Sequence, residues 1–316
     1  MTGRIVRFAA GATLAMAACS TAPQSWQESG GAAHPLVGQI YRAADARQVS
    51  ESDLIEAAAA ADFVLIGERH DNRDHHRLQA RMVRSLQQRY PPRAVAFEMI
   101  STDRQLDVVE YLDRHPGDAA GLGAAVDWEA HGWPAWALYE PIARAALANG
   151  AQIVAADLNE ADKRAVFDEG AQALRAKFVR RTGLDRDFPA ALTSDLQAEL
   201  HEANCGRTAP DVVRGMYQVQ RARDAMMADR LAAASGKAGG ILIAGNGQVR
   251  NDRGVPWYLG RLEPDARTLS IALMEVRDDL RRLPSDLPYD YVWFTPRVDD
   301  GGDACAAHAV DLQRLR

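Results

Sequence analysis

The sequence predicts an α/β fold: a largely parallel sheet flanked by helices, with a helical lobe over residues 158–235. Three observations lead there. Six short apolar runs have the length of buried strands, most of them alternate with segments of helical periodicity, and residues 158–235 carry helical patterns with no convincing strand. The runs are nearly continuous in apolar character. That means both faces of the sheet are covered, the habit of parallel sheets between helices.

The strand candidates are Asp62–Gly67 (DFVLIG), Arg93–Met99 (RAVAFEM), Ala151–Asp157 (AQIVAAD), Gly240–Gly245 (GILIAG), Thr268–Val276 (TLSIALMEV) and Tyr289–Thr295 (YDYVWFT). Between the first two, Leu78, Met82 and Leu86 recur every fourth residue, which predicts a helix over about 74–89. Between the second and third, Trp136, Tyr139 and Ala143 sit at helical spacing in the segment 133–149, and Gly150 stands where a helix C-cap is wanted. No repeat of solenoid period is present, so residues 37–316 read as one domain with a helical lobe.

The first eighteen residues have the parts of a secretory signal: Arg4 and Arg7, an apolar stretch from Phe8 to Ala18, and small residues before Cys19. The apolar stretch is too short for a hydrocarbon core of ~30 Å. The expectation is a lipoprotein signal at 1–18, with Cys19 the lipidated first residue of the mature chain. Ser20, not Asp, follows Cys19 and favours the outer membrane over retention at the inner one. Residues 19–36, polar and rich in Pro and Gly, are expected to tether the domain to the periplasmic face. Removing Arg4 and Arg7 moves the formal charge from −6 to −8, which argues against nucleic acid and against charge-driven binding to acidic lipid. Cys205 and Cys305 remain in an oxidising compartment, either as one disulfide or as two free thiols; the bridge is preferred.

In parallel sheets ligands bind beyond the carboxyl ends of the strands, and ionisable or amide side chains cluster there. Glu68 and His70 follow the first run, Glu98 ends the second, Asp157 and Asn159 follow the third, and Asn246, Gln248, Arg250 and Arg253 follow the fourth. Glu68, His70 and Glu98 could bind a divalent metal or act as general acid and base. Equally, the two glutamates could pair with Arg69, Arg250 or Arg253 in a buried network. His75 and His76 fall in the first turns of a helix, where a solvated face is the default. The Gly245-Asn246-Gly247 turn lacks the glycine spacing of a dinucleotide fingerprint. It either presents N–H groups to an anion, helped by Arg250 and Arg253, or is a tight turn needing positive φ. Tyr217, Gln220, Arg221 and Asp224 share one helical stripe, facing either a cleft or solvent.

Five ordered segments carry a resemblance: FVLIGERHDNRDHHRLQ, VAFEM, WALYEPIARAALANGAQIVAADL, CGRTAPDVVRGMYQVQRARDAMMADRL and ILIAGNGQVRNDRGVPWYL, together spanning about 60–300. They resemble the ChaN-like haem-binding lipoproteins of the Tiki superfamily. The resemblance implies an α/β fold with a helical lobe, a lipid anchor, haem binding tied to iron uptake, and in some members a haem-bound homodimer. It places Glu68, His70, Glu98, Asn246, Arg250 and Arg253 in a shared cleft. His70, His131, Tyr139 and Tyr258 are the candidate axial ligands, and Trp128, Trp133 and Trp136 candidate apolar walls, although a tryptophan cluster is more often core. No CxxCH occurs, so attachment would be non-covalent. The pattern departs at Gln248, where the second GxxH should end in His, and at Arg207 in the CGH element. An amide is a poor metal ligand, which weakens the alternative of a metal-dependent hydrolase built on Glu68, His70 and Glu98.

Overall fold

A computed structural model describes residues 25–89 and 92–299. In chain order the elements are β1 (Ile40–Arg42), β2 (Arg47–Val49), α1 (Glu51–Ala59), β3 (Phe63–Glu68), α2 (Arg73–Arg89), β4 (Ala94–Ser101), α3 (Gln105–Arg114), α4 (Ala119–Ala125), α5 (Trp136–Leu147), β5 (Ile153–Asp157), α6 (Glu160–Glu169), α7 (Ala176–Thr182), α8 (Ala190–Ala203), α9 (Pro210–Ser235), β6 (Gly240–Gly245), α10 (Val255–Leu262), β7 (Thr268–Glu275) and β8 (Tyr291–Thr295). The strands form one mixed sheet of eight in the order β2-β1-β8-β7-β3-β6-β4-β5. β3 to β8 run parallel to one another, and β1 and β2 pair antiparallel at one edge. The fold class read from the sequence is therefore the fold class found. β1 and β2 are additions to the six expected strands; at three residues each they are too short to leave a period-2 signal.

Alternate residues of β3 feed two cores. Val64 and Ile66 pack into one with Leu78, Met82 and Leu86 of α2 and Tyr139 and Ile142 of α5. Phe63 and Leu65 pack into the other with Ala228 and Leu231 of α9 and Tyr258 and Leu259 of α10. Each such large apolar side chain contributes about 1.5–3 kcal/mol when fully buried. This double demand is why the strands read as unbroken apolar runs. The stretch 158–235 holds α6 to α9, capped on the sheet side by the 26-residue α9, which starts with Pro210 in the first turn.

β6 lies between β3 and β4, and the chain then crosses from β6 to β7 on the far side of β3. The carboxyl ends of β3, β6, β4 and β5 thus lie side by side at the place where the strand order reverses. Ligand crevices of parallel sheets form at such a place.

The sequence suggested a tether reaching to residue 36, but the chain already packs on the domain from residue 27. The backbone N–H groups of Gln27 and Glu28 donate to the buried Asp74 carboxylate at 2.9–3.1 Å, Glu28 pairs with Arg73 at 2.8 Å, and Leu36 is part of a small core. Residues 25–36 therefore belong to the domain. The signal segment 1–18, Cys19 and Cys305 lie outside the described residues, as does any pairing of Cys305 with Cys205. Among the described residues no helix is long and apolar enough to cross a membrane.

Candidate functional site

Glu68, the last residue of β3, is fully buried, and its surroundings decide its charge. Tyr139 of α5 donates its hydroxyl to Oε1 at 2.6 Å, and His70 Nδ1 stands 2.8 Å from the same oxygen. His76 Nε2 approaches Oε2 at 3.5 Å. Neither Oε2 nor either ring nitrogen of His76 has a hydrogen-bond partner. Burial would raise the Glu68 carboxyl, but the facing His76 and His70 outweigh it and hold the group well below the usual carboxylate range. Tyr139 is pushed the other way by burial and by the Glu68 charge and stays a phenol.

His70 forms the rim. Its side chain is 33% exposed, its ring meets Trp133 edge-on at 4.9 Å between centroids, and Nε2 is 4.0 Å from Glu98 Oε2. Burial alone would lower its pKa, yet the hydrogen bond to Glu68 and the charge of Glu98 lift it to about 9.

Glu98, on β4, is a different carboxylate. Its Oε2 accepts from the Gly245 N–H at 2.6 Å; its Oε1 accepts from Gln248 Nε2 at 2.9 Å and from Arg223 Nη2 at 2.8 Å. Arg223 also grips Asp157 of β5 through Nε at 2.8 Å and Nη2 at 3.0 Å, and Lys163 adds a contact to Asp157 at 2.8 Å. This half is a satisfied ion network. Asp224 lies behind it, and burial pushes its carboxyl well above the usual range.

The turn at 245–247 resolves in favour of an anion, but the protein's own: Gly245 N–H binds Glu98. The glycines of the turn do not adopt positive φ. Space is what Gly245 supplies instead: a Cβ there would stand 2.8 Å from Gln248 Oε1 and 3.2 Å from His70 Nε2, so both side-chain ends would have to shift. Gly67 likewise lets Asn246 approach, and Asn246 Nδ2 ties the turn to the Leu273 carbonyl of β7 at 2.7 Å.

The expectation of solvated His75 and His76 is overturned. Both are buried. His75 Nδ1 accepts from Arg69 N at 2.8 Å and Nε2 meets Thr295 Oγ1 at 2.8 Å, and burial lowers its pKa to about 3; it builds the turn as a neutral ring. Asn72 caps α2 beside it, accepting from Asp74 N at 2.9 Å. Tyr217, Arg221 and Asp224 face the interior, not solvent. Trp128 and Trp136 are core, leaving Trp133 at the rim. Tyr139 and Tyr258 are buried, and Tyr258 sits against Phe188 rather than at the mouth. Arg250 and Arg253 turn to Glu199 of α8. His131 is partly exposed and bonds the Asp127 carbonyl.

Of the sequence candidates, then, Glu68, His70 and Glu98 meet, while Asn246, Arg250, Arg253 and Tyr258 occupy the flank. Sequence reasoning passed over Arg223, whose signal was the charged run Arg221–Asp224 in a helix otherwise rich in Ala and Met. A divalent ion does not suit Glu68, His70 and Glu98: both Glu98 oxygens already accept protein donors, and the Arg223 guanidinium fills the position of a counter-charge. Among the described residues no group of three His, Cys, Asp or Glu side chains is arranged to hold a metal ion.

These features define an α/β protein with a half-open histidine–carboxylate mouth at the carboxyl edge of its sheet. The chain belongs to the haem-binding uptake family ChaN of the Tiki superfamily, whose pattern matches residues 54–259. Among solved structures it is similar to ChaN of Campylobacter jejuni, described for cofacial heme binding, at 19% identity and a TM-score of 0.64 over 80% of this chain and 95% of that one. More distant likenesses are the type III effector HopBA1 (14% identity, TM-score 0.43, 77% of this chain and 91% of that) and an erythromycin esterase, EreC, in its open conformation (15%, 0.40, 91% and 87%). No curated protein matches the chain.

Proposed function

We propose that this chain is an exported lipoprotein, anchored through acylated Cys19 at the periplasmic face of the outer membrane, that binds haem non-covalently at the His70 mouth in the service of haem or iron uptake. Membership of the ChaN family supports the ligand class. The observation that carries the site is the geometry of His70: Nδ1 is fixed on Glu68 and the ring stands at the rim against Trp133. A histidine anchored through one nitrogen to a carboxylate has its other nitrogen oriented and made more basic, the arrangement that serves metal ligation.

The donor set fits haem. Haem needs an axial ligand, an apolar surface and partners for its propionates; His70 Nε2, Trp133, and Arg250 with Arg253 would fill these roles. Haem supplies the iron centre; the chain's own part is to hold Nε2 in place, keep Tyr139 and His76 behind Glu68 away from solvent, and give up the His70 proton on ligation. Partners in this reading are haem or iron-uptake components at the envelope, the lipid bilayer, and a second copy of the chain on haem binding; nucleic acid is not among them. The satisfied state of Glu98 leaves the hydrolase alternative without a supporting observation.

Haemin titration of the purified chain tests this. A saturable Soret shift is expected, weakened at least ten-fold by His70→Ala and unchanged by Tyr258→Phe. Absence of the shift, or a shift indifferent to His70→Ala, removes the proposal. Metal content measured on the same sample checks the divalent-ion alternative: one tightly bound ion that Glu68→Gln releases would favour it.

A further inference from the structure

The solvent side of α2 carries four arginines. Arg73, Arg77, Arg81 and Arg84 follow one another at intervals of four, four and three residues, which puts them on one stripe of the helix. They line one wall of a groove of about 960 Å³ whose other wall, Leu138 and Pro141 of α5, is apolar. Among the described residues one carboxylate, Glu51 of α1, lines the same groove. Arg73 is paired with Glu28 at 2.8 Å, Arg77 with Asp74 at 2.8 Å and Arg81 with Glu51 at 2.6 Å, yet all three side chains stay between a third and a half exposed. A guanidinium has five N–H donors and a carboxylate engages two of them, so donors are left over on this wall. Arg84 is exposed and belongs to no ion pair among the described residues.

Two further observations point to what lies in the groove. His76, only 1% exposed, reaches its floor, and neither ring nitrogen has a hydrogen-bond partner. Ser25, the first described residue, lies at the same groove: its carbonyl accepts from Arg77, whose guanidinium stands over the Trp26 ring at 5.8 Å. Tryptophan is a side chain that settles at headgroup depth, and arginine is one that grips phosphate. Cys19 precedes Ser25 by six residues, and six residues span at most about 20 Å. Acylation of Cys19 therefore keeps the groove within that distance of the bilayer surface, whatever path the chain takes between them.

We propose that the groove between α2 and α5 seats the headgroup of an anionic phospholipid of the membrane that holds Cys19. The α2 arginines take the phosphate through paired N–H donors, and the α5 wall takes the glycerol and the first acyl carbons. The proposal rests on the lipoprotein reading and adds a second contact to the acyl chains, one that fixes how the domain lies on the membrane. The chain as a whole is acidic, which argues against a long-range pull toward an acidic surface. The stripe on α2 is a local exception, and the tether replaces the long-range pull by keeping it close to the lipid.

The test uses the full acylated chain in vesicles of phosphatidylcholine, alone or mixed in equal parts with phosphatidylglycerol. Phenylglyoxal modifies accessible arginines, and peptide mass spectrometry reads the rate at each one. Modification of Arg84 should slow at least about five-fold in the phosphatidylglycerol vesicles, the worth of a basic side chain close to an anionic surface. Arg180, exposed on α7, should react at the same rate in both. Pro141→Glu puts a negative charge on the opposite wall without touching an arginine, and should return Arg84 to its phosphatidylcholine rate; far-UV circular dichroism checks that the variant folds. Equal rates at Arg84 in the two vesicles, an equal slowing at Arg180, or protection that survives Pro141→Glu overturns the groove and leaves the lipoprotein reading standing. The same slowing produced by inorganic phosphate without vesicles overturns a lipid as the occupant. A Cys19 peptide without acyl groups, seen in the same spectra, removes the lipoprotein reading and the proposal with it.

Discussion

Glu68 ends β3 and Glu98 lies within β4, on the two sides of β6; both are buried, and they are treated oppositely. Glu98 accepts from Arg223, Gln248 and Gly245, so that each of its oxygens has a donor. Glu68 accepts from Tyr139 and His70 on one oxygen, and the other oxygen faces His76 without a hydrogen bond. A satisfied buried ion network holds elements together; an unsatisfied one beside an open rim is a place where free energy has been withheld from the fold. The same edge of the sheet therefore carries a strut and a site, and they differ by which side has the arginine.

The strut breaks with the largest effect. Arg223→Leu would leave Glu98 and Asp157 buried with their main counter-charge gone. Breaking such a pair typically costs about 3–5 kcal/mol. Urea unfolding followed by circular dichroism should show a loss of that order with an unchanged m-value. A loss below 1 kcal/mol would mean that Lys163 and Gln248 suffice, and the division into strut and site would fail.

Much of this was legible beforehand because burial on both sheet faces writes itself into the sequence as unbroken apolar runs. Glu68, His70 and Glu98 were found by position alone, at or just beyond the carboxyl end of such a run. Partnership was not legible. Nothing local in the sequence says that Arg223 on α9 reaches Glu98, over a hundred residues away, or that Glu199 on α8 answers Arg250 and Arg253. The pattern of α2 also misled at His75 and His76: polar residues near a helix start usually meet water, but here His75 turns to Thr295 of β8 and His76 packs on Tyr139 of α5. Trp133, in contrast to Trp128 and Trp136, is set apart by rim exposure, which spacing does not encode.

The site half is tied to pH through His70. His70 keeps its proton to about 9 in the folded chain against 6.5 for the free side chain. Below pH about 6.5 both states are protonated and the full stabilisation from the Glu68 pair is present. As pH rises toward 9 the unfolded chain releases the proton first, and the stabilisation is lost by the time the folded group titrates. Glu68, with its carboxyl held low, sets the acid limit: its contribution is present above about 4.5 and declines as pH falls below that. The urea midpoint should drop between pH 6.5 and 9 in the wild-type chain, and His70→Gln should flatten that slope. An identical slope in the variant would place the titrating group elsewhere. Haemin ligation at Nε2 competes with the same proton, so haemin affinity should rise over this range, in the opposite sense to stability.

The smallest expected effect is the most local. A methyl group at Gly245 would stand 2.8 Å from Gln248 Oε1 and 3.2 Å from His70 Nε2. Both are ends of side chains that can turn aside. The backbone at this position is not in the left-handed region, so Ala itself is not strained there. Gly245→Ala should therefore alter stability by less than about 1 kcal/mol, while pressing the ring of His70 away from Glu98. If His70 holds the iron, haemin affinity should fall several-fold in that variant with the unfolding midpoint nearly unchanged. Gly247→Ala is the matched control, since a Cβ there meets nothing within 4 Å, and should leave both quantities alone. A Gly245→Ala chain that binds haemin as tightly as the Gly247→Ala chain would show that the ring position of His70 does not set affinity, and the site half would then lose its claim to differ in purpose from the strut.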